Sequence, residues 1–93
     1  MAKIDFIITF SSNEVNQKIP YALICQARYG SMWNTSKTQR EYERKFTEEE
    51  REESETIFRQ AHKWYITSGV PNQVSMPMKT FILWLKLVEF CVG

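Results

Sequence analysis

The segment Lys45–Gly69, KFTEEEREESETIFRQAHKWYITSG, decides the fold because it combines a helix start, an amphipathic body and a helix stop. Thr47 followed three residues later by Glu50 is a capping box, in which each side chain bonds to the other residue's backbone N–H. Carboxylates in the first turn also offset the partial positive charge at a helix N-terminus. The glycine that ends the segment, with a proline two residues later, is a usual helix stop. We therefore predict a helix over about Glu48–Ser68.

The body of this helix carries one apolar stripe. Large apolar side chains recur with the 3.6-residue period of a helix that buries one face, and they are Ile57, Phe58, Ala61, Trp64 and Tyr65. Glu55 and Arg59 are spaced to form a favourable i,i+4 pair on the flank. The stripe predicts that other elements pack on this face.

The secondary structure of the first half of the chain is less clearly indicated by the sequence. Alternation in Lys3–Phe10 puts Ile4, Phe6, Ile8 and Phe10 on one face, which predicts a half-buried strand. The following SSNEVNQK reads as a polar connector. Residues 20–33 fit a strand that returns as the hairpin partner of the first one. They also fit a helix with Pro20 in its first turn, where the missing N–H costs nothing; we favour the helix because good helix formers follow the proline.

Two further helices are predicted. Ser36 with Gln39 has capping-box spacing and starts a short, largely exposed helix whose apolar residues are Tyr42 and Phe46. The last element begins at Ser75-Met76-Pro77, with the proline in the first turn, and is apolar almost all round. A helix apolar on every side is a buried helix. The expected fold is mainly α with a minor β part: residues 1–93 form a single domain, a small compact bundle of three to four helices with an N-terminal strand.

Composition narrows the functional classes. The chain has 93 residues and a formal net charge of +1, so no whole-molecule field favours nucleic acid or an anionic membrane. The N-terminus is too polar for a signal peptide, and the longest apolar stretch is too short to span a bilayer. Two distant cysteines, Cys25 and Cys91, form no disulfide framework. We expect a cytoplasmic protein with free thiols.

Catalytic and metal sites are not indicated. Cys25, His62 and Cys91 are the only soft metal ligands, and none has the paired spacing of a zinc site. A Cys–His nucleophile built on His62 is a distant alternative, and phosphate-binding and hydrolase motifs are absent from the sequence. We expect no enzyme, no metal and no cofactor.

The acid block, six glutamates within residues 48–55, has two interpretations. It fits a solvated helix face, and it also fits a negative patch that meets a basic partner. The aromatic content exceeds what one small core needs, so some rings are expected at the surface as interface anchors. The candidate partner-binding residues are Glu49, Glu52, Glu53, Trp64 and Tyr65. A protein partner, or a second copy in a homodimer, would also cover what remains of the apolar last helix.

A basic run directly upstream supports an alternative. Lys37, Arg40 and Arg44 share a helical stripe, and phosphate contacts need cations on one face. Aromatic rings nearby offer stacking surfaces for single strands. The candidate nucleic-acid-binding residues are Lys37, Arg40, Arg44, Lys45 and Trp33. The sequence thus predicts a small non-enzymatic protein–protein interaction module, typical of the accessory or inhibitor proteins that phages and mobile elements carry, with a nucleic-acid-binding module as the alternative.

Overall fold

In a computed structural model that describes residues 6–30, 33 and 35–92, the chain forms five α-helices and one two-stranded antiparallel sheet. In chain order the elements are β1 (Ile7–Ser11), α1 (Ser12–Lys18), α2 (Tyr21–Tyr29), α3 (Ser36–Lys45), α4 (Glu48–Thr67), β2 (Gln73–Pro77) and α5 (Met78–Val92). The mainly helical fold with a strand near the N-terminus is confirmed. The sequence predicted neither α1 nor β2.

The sheet pairs a strand near the start of the described chain with a strand that directly precedes α5. β1 and β2 pair with Ile7 opposite Pro77 and Ser11 opposite Gln73. Phe10 is buried and Ile8 half-buried, as the alternation predicts, but Phe6 is exposed because it lies beyond the end of the paired strands. Residues 3–5 of the predicted strand lie outside the described residues.

The predicted polar connector is a helix. The Ser11 hydroxyl accepts the Glu14 N–H, and the Glu14 carboxylate accepts the Ser11 N–H, which is a capping box that starts α1. The helix is short and buries a single apolar side chain, Val15. A helix of seven residues with one apolar position shows no periodic stripe, so only the capping box could have revealed it.

Two boundaries differ from the sequence prediction. Residues 21–29 are helical, which confirms the favoured reading, but Pro20 is the N-cap and does not lie in the first turn. The partner of β1 is β2, so the hairpin alternative for this segment is wrong. The segment Ser75–Pro77, predicted to begin the last helix, belongs to β2 because Val74 and Met76 alternate onto the buried face.

Helix α4 lies at the centre of the fold, with α2 and α5 packed against it. Its buried side is Ser54, Ile57, Phe58, Ala61 and Trp64. The Trp64 ring stacks on Trp84 of α5 with 5.7 Å between centroids. The helix ends at Thr67, and Ser68 rather than a glycine adopts the left-handed conformation, with φ of 54°.

Helix α3 is attached by aromatic packing. Tyr42 and Phe46 are buried, whereas most other side chains of this helix are exposed, which confirms the prediction of a largely exposed helix. Their rings join an edge-to-face cluster with Trp33, Phe58 and Phe90. Its N-cap is Thr35, whose hydroxyl accepts the Thr38 N–H, so the predicted Ser36–Gln39 box is wrong by one position.

Helix α5 is covered on one side only. Leu83, Trp84 and Leu87 are buried, whereas Ile82 and Leu85 are exposed. The prediction of a helix buried all round is therefore wrong, because the described elements are too few to surround it.

Candidate protein-binding surface

Half of the acid block is used inside the fold. Glu50 caps α4 and pairs with Lys86 of α5, with 2.9 Å between Nζ and Oε1. Glu53 accepts a hydrogen bond of 3.0 Å from the Thr80 hydroxyl, and Glu55 pairs with Arg28 of α2 at 3.2 Å. The predicted Glu55–Arg59 pair is replaced by this contact with α2.

The other three glutamates form an acidic patch, defined as Glu48, Glu49 and Glu52. All three are exposed on the first two turns of α4. Their charges are favourable at a helix N-terminus, which is a sufficient structural reason for them. Of the predicted partner-binding carboxylates, Glu49 and Glu52 therefore face solvent, and Glu53 faces α5.

A second exposed surface lies at the other end of α4. We define the aromatic patch as Tyr29, His62, Tyr65 and Ile66. The rings of Tyr29 and His62 lie 4.6 Å apart between centroids, which joins α2 to α4. Tyr65 and Ile66 follow His62 by three and four residues and so lie on the adjoining turn. Tyr29, Tyr65 and Ile66 are 52%, 50% and 64% exposed.

The predicted tryptophan anchors are in the core. Trp64 is 5% exposed, packed between Tyr21 and Trp84, and Trp33 is 3% exposed within the aromatic cluster. Neither ring is open to a partner protein or to a nucleobase. The stripe of apolar residues identified Trp64 as a helix-face residue, but an exposed ring cannot be told from a buried one by helical period alone. Tyr29 was missed as a surface residue because its exposure depends on where α2 ends.

Only some cations of the basic run, residues 37–45, are free to contact a nucleic acid. Lys37 and Arg40 are exposed on α3. The Arg44 guanidinium bonds to Glu41 at 2.7 Å, and this bond lowers the pKa of the Glu41 carboxyl. The Lys45 ammonium lies 5.8 Å from the Phe90 ring centroid. The stripe thus holds two exposed cations next to a neutralised third one.

A shallow groove of about 710 Å³ separates α3 from the second half of α5. Its floor is aromatic, with Phe46 and Phe90, and its rim carries Lys37, Lys45 and Glu89. The Cys91 thiol also borders it, and burial raises the pKa of that thiol to about 11. A thiol with so high a pKa is protonated at neutral pH, which argues against a nucleophile here.

The described residues hold neither a cluster of metal ligands nor a membrane-spanning helix. Among them, no three His, Cys, Asp or Glu side chains converge on a point that could hold a metal ion. The helices of the same residues are all too short or too polar to cross a bilayer. Cys25 and Cys91 are free thiols.

Comparison with known proteins adds no relative: no family model, no curated protein and no solved structure matches the chain.

Proposed function

We propose that this chain is a protein-binding module that uses exposed side chains of α4. The observation that carries the proposal is the aromatic patch, in which two half-exposed tyrosines and Ile66 lie around His62. Tyrosine is enriched among the residues that dominate binding energy at protein interfaces. The Tyr29 ring is also held by the His62 ring, so little side-chain freedom is lost when a partner covers it.

The acidic patch defines the kind of partner. Along the helix, at about 1.5 Å per residue, Glu49 lies about 25 Å and Glu52 about 21 Å from Ile66. A standard interface covers a surface of this size. We therefore propose a protein partner that reaches around α4, with cationic side chains opposite Glu49 and Glu52 on one face and an apolar depression opposite Tyr65 and Ile66 at the other end. No catalytic step is part of the proposal.

Affinity capture from a lysate of the encoding organism, with and without nuclease, tests this. We expect one protein to be retained after nuclease treatment by the wild type. It should be lost by Tyr65→Ala/Ile66→Ser and weakened by Glu49→Gln/Glu52→Gln, the latter more at low salt than at high salt. Thr56→Ala, at an exposed position of α4 that belongs to neither patch, is the matched control.

The competing function, nucleic-acid binding through α3, predicts the reverse. Lys37 and Arg40 are the exposed cations that favour it. Lys37→Ala/Arg40→Ala would then abolish capture, the captured material would disappear with nuclease, and affinity would fall steeply with added salt. That pattern, with Tyr65→Ala/Ile66→Ser unaffected, contradicts the proposal.

A further inference from the structure

The two edges of the small sheet are not equivalent. The Phe6 carbonyl accepts the Met78 N–H at 2.7 Å, and the Ser12 N–H donates to the Asn72 carbonyl at 3.0 Å. In an antiparallel pair, alternate residues exchange these bonds, so the even-numbered residues of β1 bond to β2. The backbone groups of Ile7 and Thr9 therefore point away from β2.

The outer edge of β2 carries a proline that hinders further strand pairing, whereas the outer edge of β1 carries no such residue. Pro77 has no N–H and stands at an outward-pointing position of β2, a usual device against edge pairing. Along β1, residues 6–13 contain neither proline nor an ionisable side chain. In the described chain β1 pairs with β2 only, which leaves the outward N–H and C=O groups of Ile7 and Thr9 without a strand partner.

Exposed apolar side chains adjoin this open edge. Phe6 is 76% and Ile7 is 64% exposed. Ile82, also exposed, is one helical turn beyond Met78, whose N–H bonds to Phe6. Native edges usually carry lysine, proline or a bulge at such places, and apolar residues there promote pairing with another strand.

We propose that β1 pairs antiparallel with β1 of a second copy of this chain, which makes a four-stranded sheet across a two-fold axis at Ile8. In that register Ile7 faces Thr9 of the second copy, and each such pair exchanges two backbone hydrogen bonds, so the dimer gains four. Ile8 then faces Ile8, and the exposed Phe6 faces Phe10. Aromatic and β-branched cross-strand pairs are stabilising ones.

Charge favours a second copy over a charged strand from another protein. The edge from Phe6 to Asn13 is uncharged, so two copies bring no like charges together, whereas a charged strand would find no counter-charge. The contact is also small, well below the roughly 1,200 Å² typical of stable complexes. We therefore expect reversible association with a Kd between about 10 μM and 1 mM.

The test combines sedimentation velocity and amide exchange by NMR on the full chain, from about 10 μM to 1 mM. We expect a dimer to appear with concentration, and exchange at the Ile7 and Thr9 amides to slow with it, while the outward Gln73 and Ser75 amides of β2 stay unchanged. A chain that remains monomeric at about 1 mM, or a dimer with unchanged exchange at Ile7 and Thr9, overturns the proposal.

Two proline variants provide the matched pair. Thr9→Pro removes an outward N–H from the β1 edge, and Ser75→Pro removes one from the β2 edge. Both lose the same 2.9 Å hydrogen bond between the Thr9 and Ser75 hydroxyls, so their effects on the fold are comparable. We expect Thr9→Pro to weaken association at least about ten-fold and Ser75→Pro to leave it unchanged, with circular dichroism confirming that each is folded. Equal dimerisation of the two variants contradicts the proposed edge. The α4 variants above leave this dimer unaffected, so the two proposals fail separately.

Discussion

The Lys86 ammonium lies 2.9 Å from one carboxylate oxygen of Glu50 and 3.0 Å from the other, which holds α5 to the first turn of α4. Lys86 also donates to the Lys45 carbonyl at the end of α3, at 3.0 Å. Glu50 in turn accepts the Thr47 N–H as part of the capping box. One lysine and one glutamate thus join three helices, and this contact makes stability depend on pH.

Glu50→Gln is expected to flatten that pH dependence. The Thr47 backbone N–H, and secondarily Lys86, lower the pKa of the Glu50 carboxyl below its ordinary value, although burial opposes them. A carboxyl with a lowered folded-state pKa stabilises the fold above its unfolded pKa of about 4.3, and that contribution is lost as pH falls through the folded-state value. Glutamine keeps the cap but not the ion pair, so we expect a loss of less than about 1 kcal/mol at pH 7.

Urea unfolding between pH 7 and pH 3 measures this effect. Glu49→Gln is the matched control, because it removes the same charge one residue earlier from an exposed side chain. Identical slopes of unfolding free energy against pH for Glu50→Gln and the wild type would contradict the role given to Glu50. The pKa values of Glu14 and Glu41 are also lowered by hydrogen bonds, so these two residues contribute to the dependence of unfolding free energy on pH in every variant.

The N-cap of α3 gives a second prediction. Thr35→Ala should lower the free energy of unfolding by about 0.5–1 kcal/mol, because its hydroxyl accepts the Thr38 N–H. Ser36→Ala should change it by less than about 0.5 kcal/mol, because Ser36 is exposed inside the first turn. Chemical denaturation of both variants compares the two positions directly, and a larger effect at Ser36 would restore the cap predicted from the sequence.

Thr35 and Ser36 show how precisely the start of a helix can be predicted from the sequence. A polar run such as Asn34-Thr35-Ser36 offers several equivalent caps, and the choice among them depends on where the preceding chain enters the helix. The Thr47–Glu50 capping box could be predicted from the sequence because a long apolar stripe follows it. Strand β2 was not predicted because it has only two buried apolar residues. Its proline, Pro77, occurs commonly both in the first turn of a helix and on a strand edge, so it did not distinguish the two.

The candidate surface was predictable only in part. The exposure of Glu49 and Glu52 follows from helical period and from their place in the first turns. The inward bonds of Glu53 and Glu55 do not, because they depend on residues 27 positions away in the chain, Thr80 and Arg28. The burial of Trp64 depends likewise on residues distant in the chain, Tyr21 and Trp84, which no local pattern specifies.

A third prediction concerns thiol reactivity. Burial raises the pKa of the Cys91 thiol to about 11, so at pH 8 its thiolate population is about 100-fold below that of an ordinary cysteine. A thiolate with a high pKa is also more nucleophilic, and this offsets about ten-fold of the resulting decrease in labelling rate. We expect labelling of native Cys91 to be at least about ten-fold slower than in guanidinium, and that of buried Cys25 slower still.

Iodoacetamide labelling at pH 8, followed by peptide mass spectrometry, resolves the two cysteines. The same pKa shift makes stability fall as pH rises from the ordinary thiol value towards 11, since the folded state favours the protonated thiol. Rapid native labelling of Cys91 would mean that the last turn of α5 opens readily.

The last prediction compares two glycines at helix ends. A Cβ on Gly30 would meet the backbone carbonyl of Gln26 at less than van der Waals distance, because the Gly30 N–H already closes the last turn of α2 on that carbonyl. Backbone cannot move aside as a flexible side chain can, so the end of α2 must shift. Tyr29, which depends on that end for its contact with His62, must shift with it. We expect Gly30→Ala to cost about 1–3 kcal/mol of unfolding free energy.

Gly69→Ala is the matched control at the end of α4. Its Cβ would lie 3.8 Å from the nearest atom, the Thr67 carbonyl oxygen, which is ordinary contact, and the left-handed position of that turn is taken by Ser68. Alanine there restricts the unfolded chain, so the variant should be neutral or more stable by up to about 1 kcal/mol. Urea denaturation gives both values, and NMR shifts of the Tyr29 ring report its displacement. A destabilised Gly69→Ala with a neutral Gly30→Ala would reverse the roles of the two glycines and return the helix stop to the position that sequence patterns favour.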